Sequence, residues 1–295
     1  MALNGNQLPA HAPRKRCQRM GSDAGGVQLD GLASGATSVQ VRRARGQLVS
    51  VQRNAANLLL EQGPLLALLP AGTPIHPWAL TVPLELSTLQ QGMGADCNAH
   101  VLVLGPLRIS LAEAEMPDLR VREPLRALPP RWVLESFRRA GRPPEEEPSA
   151  PVLAAALDQF CGGADVRELA ALVGLGGGLT PAGDDTLVGV LAFLDLARAA
   201  SAAAPALRAF LVGRVVPTLA GHTSHLSVQM LGAAAEGFYA EPLLNLLQAV
   251  AMHDPSPHLI EKEVTALLAV GHRSGADTLR GVAAALDRLM HEACD

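Results

Sequence analysis

Proline and alanine trade places halfway along this chain. Residues 1–150 hold 15 of the 22 prolines and 19 of the 49 alanines, while residues 151–295 hold 7 prolines and 30 alanines. Proline removes a backbone donor and is confined to turns, strand edges and first helical turns. Alanine is the strongest helix former. The split predicts an α+β protein, with a β-rich N-terminal domain over 38–140 and an all-α C-terminal domain over 151–295. Residues 1–37 are polar and glycine-rich and read as a disordered or loose leader. Three prolines and three consecutive glutamates (Arg-Pro-Pro-Glu-Glu-Glu-Pro) mark a linker over 141–150.

Composition narrows the function. Hydrophobic residues make up 48% and charged residues 18%, which excludes disorder over most of the chain. Aromatics at 3% leave few platforms for stacking bases, and a net charge of −4 gives no bulk attraction to phosphate backbones, so nucleic acid is not an expected partner. No apolar run approaches the ~18 residues of a membrane span, so no membrane partner is expected either. Cys17, Cys97, Cys161 and Cys294 stand far apart with no Cys-x-x-Cys pair, which fits a reducing, cytoplasmic setting.

Moderate alternation predicts strands at 38–41, 47–51, 79–84, 100–104, 107–111 and 119–121, with 54–60 either a short helix or more strand. Helical periodicity follows at 151–160, 165–173, 182–200, 205–219, 224–238, 242–252, 257–270 and 275–292.

Three local motifs fall between those helices. The first is Gly174-Leu-Gly-Gly-Gly-Leu-Thr-Pro-Ala-Gly-Asp-Asp185. Pro181 suits a first helical turn and Thr180 its cap. The unpaired N–H groups of such a start, with the positive end of the helix dipole, make an anion pocket that glycines without Cβ let a ligand approach. No Gly-Lys-Ser/Thr follows, so it is not a nucleotide P-loop, and no βαβ unit surrounds it. The second motif is an echo. Residues 183–195 and 275–287 match at nine of 13 positions with a constant offset of 92, including Gly183/Gly275, Asp185/Asp277, Thr186/Thr278 and Gly189/Gly281. Each segment opens a helix with Gly and an Asp in its first turn, and a Gly follows one turn later. Two such helices crossing at Gly189 and Gly281 would bring Asp185 and Asp277 together. The third is Gly221-His-Thr-Ser224 beside Gly271-His-Arg-Ser274. Thr223 or Ser224 can cap the helix that follows, and Ser274 with Asp277 fits a capping box. Arg273 adds a fork for carboxylate or phosphate.

Converging starts of this kind would hold a small, oxygen-rich anion on Gly176, Gly177, Gly178, Thr180, Asp184, Thr223, Ser224, Arg273, Ser274 and Gly275. Asp184, Asp185, His222 and His225 could alternatively hold a divalent metal for amide hydrolysis. No cofactor and no resident metal are called for by the preferred reading.

The glycine-rich motif with its trailing Gly189, the Thr223-Ser224 step with Met230-Leu231, and Gly271-His-x-Ser-Gly-x-Asp277 resemble the AllH-like oxamate carbamoyltransferase subunit family. The stretch Leu48-Val-Ser-Val-Gln-Arg-Asn-Ala-Ala-Asn57 resembles that family's N-terminal strand, and the resemblance spans about 46–290. Gly177 stands where the family pattern has Pro, and Gln52 where it has Phe. The resemblance implies a subunit acting with other carbamoyltransferase subunits in allantoin (purine) catabolism. The reaction implied is oxalurate plus phosphate giving oxamate and carbamoyl phosphate. In that reaction His222 or His272 would exchange a proton with the amide leaving group or polarise its carbonyl, and Asp185 and Asp277 would orient them. The competing reading is a non-catalytic accessory subunit of such a complex.

Overall fold

The computed structural model describes residues 27–29, 33–34, 44–61, 63–98, 100–112, 114–141, 149–163 and 167–293. The strands are β1 (Val27–Leu29), β2 (Ala33–Ser34), β3 (Ala44–Val51), β4 (Ala56–Leu60), β5 (Leu65–Pro70), β6 (Ala79–Val82), β7 (Gly94–Cys97), β8 (Val101–Leu104) and β9 (Leu107–Ser110). The helices are α1 (Arg131–Ala140), α2 (Ala150–Cys161), α3 (Arg167–Ala170), α4 (Ala182–Leu196), α5 (Ala203–Thr218), α6 (His225–Ala235), α7 (Glu241–Ala251), α8 (Pro257–Leu268) and α9 (Ser274–Glu292). A curled sheet followed by helices is the α+β class that the proline and alanine distribution predicts.

The strands form one sheet in the order β1-β9-β8-β7-β3-β4-β5-β6-β2. Neighbours are antiparallel except for β1 with β9 and β5 with β6. β1 and β2 lie on opposite edges, yet only three residues separate them in the chain, a reach of roughly 14 Å. The sheet therefore curls until its edges approach. Leu48, Leu58, Leu68, Leu102, Leu104 and Ile109 fill the inside of the curl and are fully buried. β5 and β6 are covered on both faces. Leu68 and Leu80 join the inner core, while Ala67, Leu69 and Ala79 pack with Leu119, Ala233 and Phe238.

Polar contacts fasten the sheet to the helices. The Gln229 amide of α6 accepts from Leu65 N–H (2.9 Å) and donates to Leu65 C=O (3.3 Å), as a neighbouring strand would. The Trp78 indole donates to Gln229 C=O at 3.1 Å. Glu241 accepts from Ile75 N–H at 3.1 Å, and its own N–H donates to Ile75 C=O at 2.9 Å.

α4 is the axis of the helical layer. Every residue of it except Asp195 is buried. Its most extensive partner is α9, and the two cross at their glycines. A Cβ on Gly189 would stand 2.0 Å from Thr278 C=O, and one on Gly281 would stand 1.9 Å from Thr186 C=O. The contacts are related by the same offset of 92 that relates the sequences. Among the described residues, no helix is long and apolar enough to cross a membrane.

Several elements differ from the sequence reading. For the stretch left open as short helix or more strand, residues 56–60 are strand. β5 and β7 were not expected: Leu65–Pro70 is an apolar run without alternation because both its faces are covered. Residues 119–121 form only an isolated bridge between Arg120 and Phe238. A helix, α1, occupies 131–140 at the end of the stretch read as β-rich, and it packs on α8 and α9. Of the leader over 1–37, only β1 and β2 are described, and they pair with the sheet. The strand expected at 38–41 lies outside the described residues, as does 142–148 of the linker.

The crossing makes a direct prediction. Gly189→Ala and Gly281→Ala should each lower the unfolding free energy by about 3 kcal/mol or more, since backbone on both sides leaves a methyl no room. Gly232→Ala, which meets open space in α6, should raise it by up to about 1 kcal/mol. Urea denaturation of the three variants checks the contrast, and equal effects would refute the tight crossing.

Candidate functional site

The glycine-rich segment after α3 is an exposed loop that doubles back on itself. Gly174 has φ 75°, and a Cβ there would sit 2.0 Å from His222 C=O, so the loop lies backbone to backbone on the turn before α6. Gly176 has φ 111°, and a Cβ would sit 2.9 Å from Ala182 N. Gly177 and Gly178 are exposed with open space around them. Among the described residues, the N–H groups of Gly176, Gly177 and Gly178 donate to no protein acceptor.

Three turns meet here, and hydroxyl groups tie them together. Thr180 Oγ1, before α4, lies 2.7 Å from Ser274 Oγ at the start of α9. The Ser224 hydroxyl, before α6, donates to Leu179 C=O in the loop. It also caps α6 by accepting from Ser227 N–H at 3.1 Å. The Thr223 hydroxyl donates to the Asp184 carboxylate, whose other oxygen accepts from Gly174 N–H at 2.8 Å. Thr186 donates to Ala182 C=O (2.8 Å) in its own helix and to Asp277 C=O (3.2 Å) across the crossing. The starts of α6 and α9 are thus each hydrogen-bonded to the start of α4 and its loop.

Three carboxylates lie beneath these turns. Asp184, Asp185 and Asp277 expose 1%, 9% and 2% of their surface. A buried carboxylate is costly unless partnered. Asp184 has Gly174 N–H and Thr223, and Asp277 is paired with the Arg280 guanidinium one turn along α9. Asp185 is different. Its carboxyl faces the Thr180 and Ser274 hydroxyls, but its Oδ2 has no hydrogen-bond partner. Burial pushes its pKa up to about 7. The two hydroxyls pull it down, and the Asp277 and Asp184 charges add to the rise.

The predicted caps are not all made. Pro181, not Thr180, is the α4 cap residue, and Thr180 spends its hydroxyl on Ser274. Arg273 occupies the α9 cap position, and Ser274 begins the helix without a capping bond, so no Ser274–Asp277 box forms. Gly275 instead packs close, and a Cβ on it would meet Leu267 C=O at 1.9 Å. His222 and His272 are exposed on their turns. The His222 ring faces Ala220 C=O at 3.2 Å, and neither imidazole bonds Asp185 or Asp277. Among the described residues, no three His, Cys, Asp or Glu side chains group as metal ligands, so Asp184, Asp185, His222 and His225 do not make the alternative metal site. The residue that the sequence reading missed is Arg280. Its spacing of three from Asp277 on a helix face was the available signal.

Residues 172–286 match the family model of the oxamate carbamoyltransferase subunit AllH. This is the family that the three motifs resemble, and the matched stretch contains all three turns. The sheet lies outside it. No solved structure gives a significant match to the chain.

The raised Asp185 carboxyl predicts a pH dependence of folding. Between about pH 4 and pH 7 the unfolded chain has released this proton and the folded chain keeps it, so stability falls as pH rises through that window. Asp185→Asn removes this slope. The variant should gain on the wild type by up to roughly 4 kcal/mol between pH 4 and pH 8, at ~1.4 kcal/mol per pKa unit. Parallel urea-denaturation profiles for the two proteins would show that the carboxyl is not held protonated by burial.

Proposed function

We propose that this chain is the subunit of an oxamate carbamoyltransferase in which the oxygen-rich end of a small substrate is held. The reaction is phosphorolysis of oxalurate to oxamate and carbamoyl phosphate, carried out in the cytoplasm with partner subunits. The observation that carries this reading is the hydroxyl-tied junction of three helix starts, inside the stretch that matches the AllH family.

The chemistry of the junction suits such substrates. The exposed amides of Gly176, Gly177 and Gly178 and the positive ends of α4, α6 and α9 attract phosphate or carboxylate oxygens. Thr180, Ser224 and Ser274 can turn hydroxyl hydrogens to the same oxygens. Arg273 stands at the head of α9, and His222 and His272 stand on the rim. Thr223, Asp184, Asp277, Arg280 and Gly275 hold the frame. Donors fixed before the substrate arrives stabilise developing charge without reorganising, which is where most transfer catalysis originates.

The test is carbamoyl phosphate formation from oxalurate and phosphate by the full chain with its partner subunits. Thr180→Val combined with Ser274→Ala removes the hydroxyl bridge. We expect kcat/KM to fall at least ~100-fold, the usual scale for losing oxyanion donors, with the thermal midpoint changed by only a few degrees. Turnover within threefold of wild type would overturn the assignment of the site.

A further inference from the structure

The three carboxylates beneath the turns are not equivalent. Both oxygens of Asp184 are taken, by Gly174 N–H at 2.8 Å and by the Thr223 hydroxyl. Asp277 is paired with Arg280. Asp185 is nine-tenths buried, with 9% of its surface exposed, and its Oδ2 has no partner. A buried oxygen left unsatisfied is rare, because desolvation costs about 1–3 kcal/mol with nothing returned. This oxygen belongs to a carboxyl that touches Thr180 and Ser274, whose 2.7 Å contact joins two of the three turns.

We propose that Asp185, and neither histidine, carries the proton of the carbamoyl transfer, accepting it from hydrogen phosphate and returning it to the departing nitrogen. This rests on the carbamoyl-transfer reading above. The balance is complete within the two substrates. A phosphate oxygen forms the bond to the carbamoyl carbon, and the phosphate hydroxyl's proton passes through the Thr180 or Ser274 hydroxyl, which faces the carboxyl, to Asp185. The carbon–nitrogen bond to the oxamate moiety then breaks, its electron pair goes to nitrogen, and the proton returns there from Asp185 through the same hydroxyls. Carbamoyl phosphate and oxamate leave, and the carboxylate is as it began. No oxidant, metal or further reactant enters.

The surroundings fit this duty. The groups facing the carboxyl are Asp184 in its own helix, Asp277 across the crossing in α9, and the hydroxyls of Thr180 and Ser274. Arg280, one turn along α9, is engaged by Asp277. Two negative neighbours and burial favour the protonated form, and the hydroxyls favour the ionised one, so the carboxyl titrates close to working pH, where transfer in both directions is efficient. The histidines stand on exposed turns and bond neither Asp185 nor Asp277.

The decisive variant is Asp185→Asn, assayed as full chain with its partner subunits. Its kcat should fall by ~10²–10⁴, the range for losing a general acid–base group. Binding of inorganic phosphate to the chain, followed by titration calorimetry, should stay within a few fold. The wild type should lose kcat on the acidic side of an apparent pKa near neutrality, and the variant should lack that limb. In carbon-13 aspartate-labelled wild type, one carboxyl resonance should titrate between about pH 6 and 8. If no aspartate carboxyl does so, the proposal falls without recourse to any variant. Active wild type with Asp185→Asn retaining kcat within tenfold, or retaining the acidic limb, overturns the proton role alone. Wild-type subunits that form no carbamoyl phosphate overturn the transfer reading and this role with it.

Discussion

The contact on which the rest depends is the crossing of α4 and α9. Two backbone carbonyls, of Thr186 and Thr278, run where the side chains of Gly189 and Gly281 would otherwise stand. Helices normally pack 8–10 Å apart, with side chains setting the gap. Removing both side chains at one point lets the axes close further and fixes the point of closest approach. It lies four residues into each helix from Asp185 and Asp277, so the two starts cannot separate. The anion-facing ends, the buried acids and the hydroxyl bridge all inherit their spacing from that point.

This proximity has an electrostatic cost. Two aspartates at matched positions, with Asp184 beside one of them, put three carboxylates into an apolar layer. The charge is dispersed unequally. Backbone N–H and a hydroxyl stabilise one, a guanidinium the second, and the third keeps its proton through much of the acidic range.

Much of this was legible in the sequence, for identifiable reasons. The helices from 150 onward follow from alanine and leucine at helical spacing, and the crossing follows from glycines that recur at one offset. Two of the three converging turns carry matching Gly-His-x-Ser steps, and the third is the glycine-rich loop. The hydroxyl partners were not legible. Thr180 and Ser274 each sit in a local pattern that satisfies a cap, and a tertiary partner one turn away in space wins instead. Asp185 reads as a dipole-matched acid in a first turn, and only the packing around it reveals its depth. α1 was hidden by the prolines before it, Pro129 and Pro130, and the linker after it. β5 was hidden because an apolar run covered on both sides carries no period of two.

The curled sheet has a further consequence for assembly. An open sheet offers its outermost backbone as a template on which another polypeptide can lay a strand. Here β9 and β6 are each covered by a piece of the same polypeptide, and among the described residues the outermost strands are three and two residues long. Outermost strands this short offer little template for main-chain augmentation, which leaves recognition of the sheet there to side chains and shape.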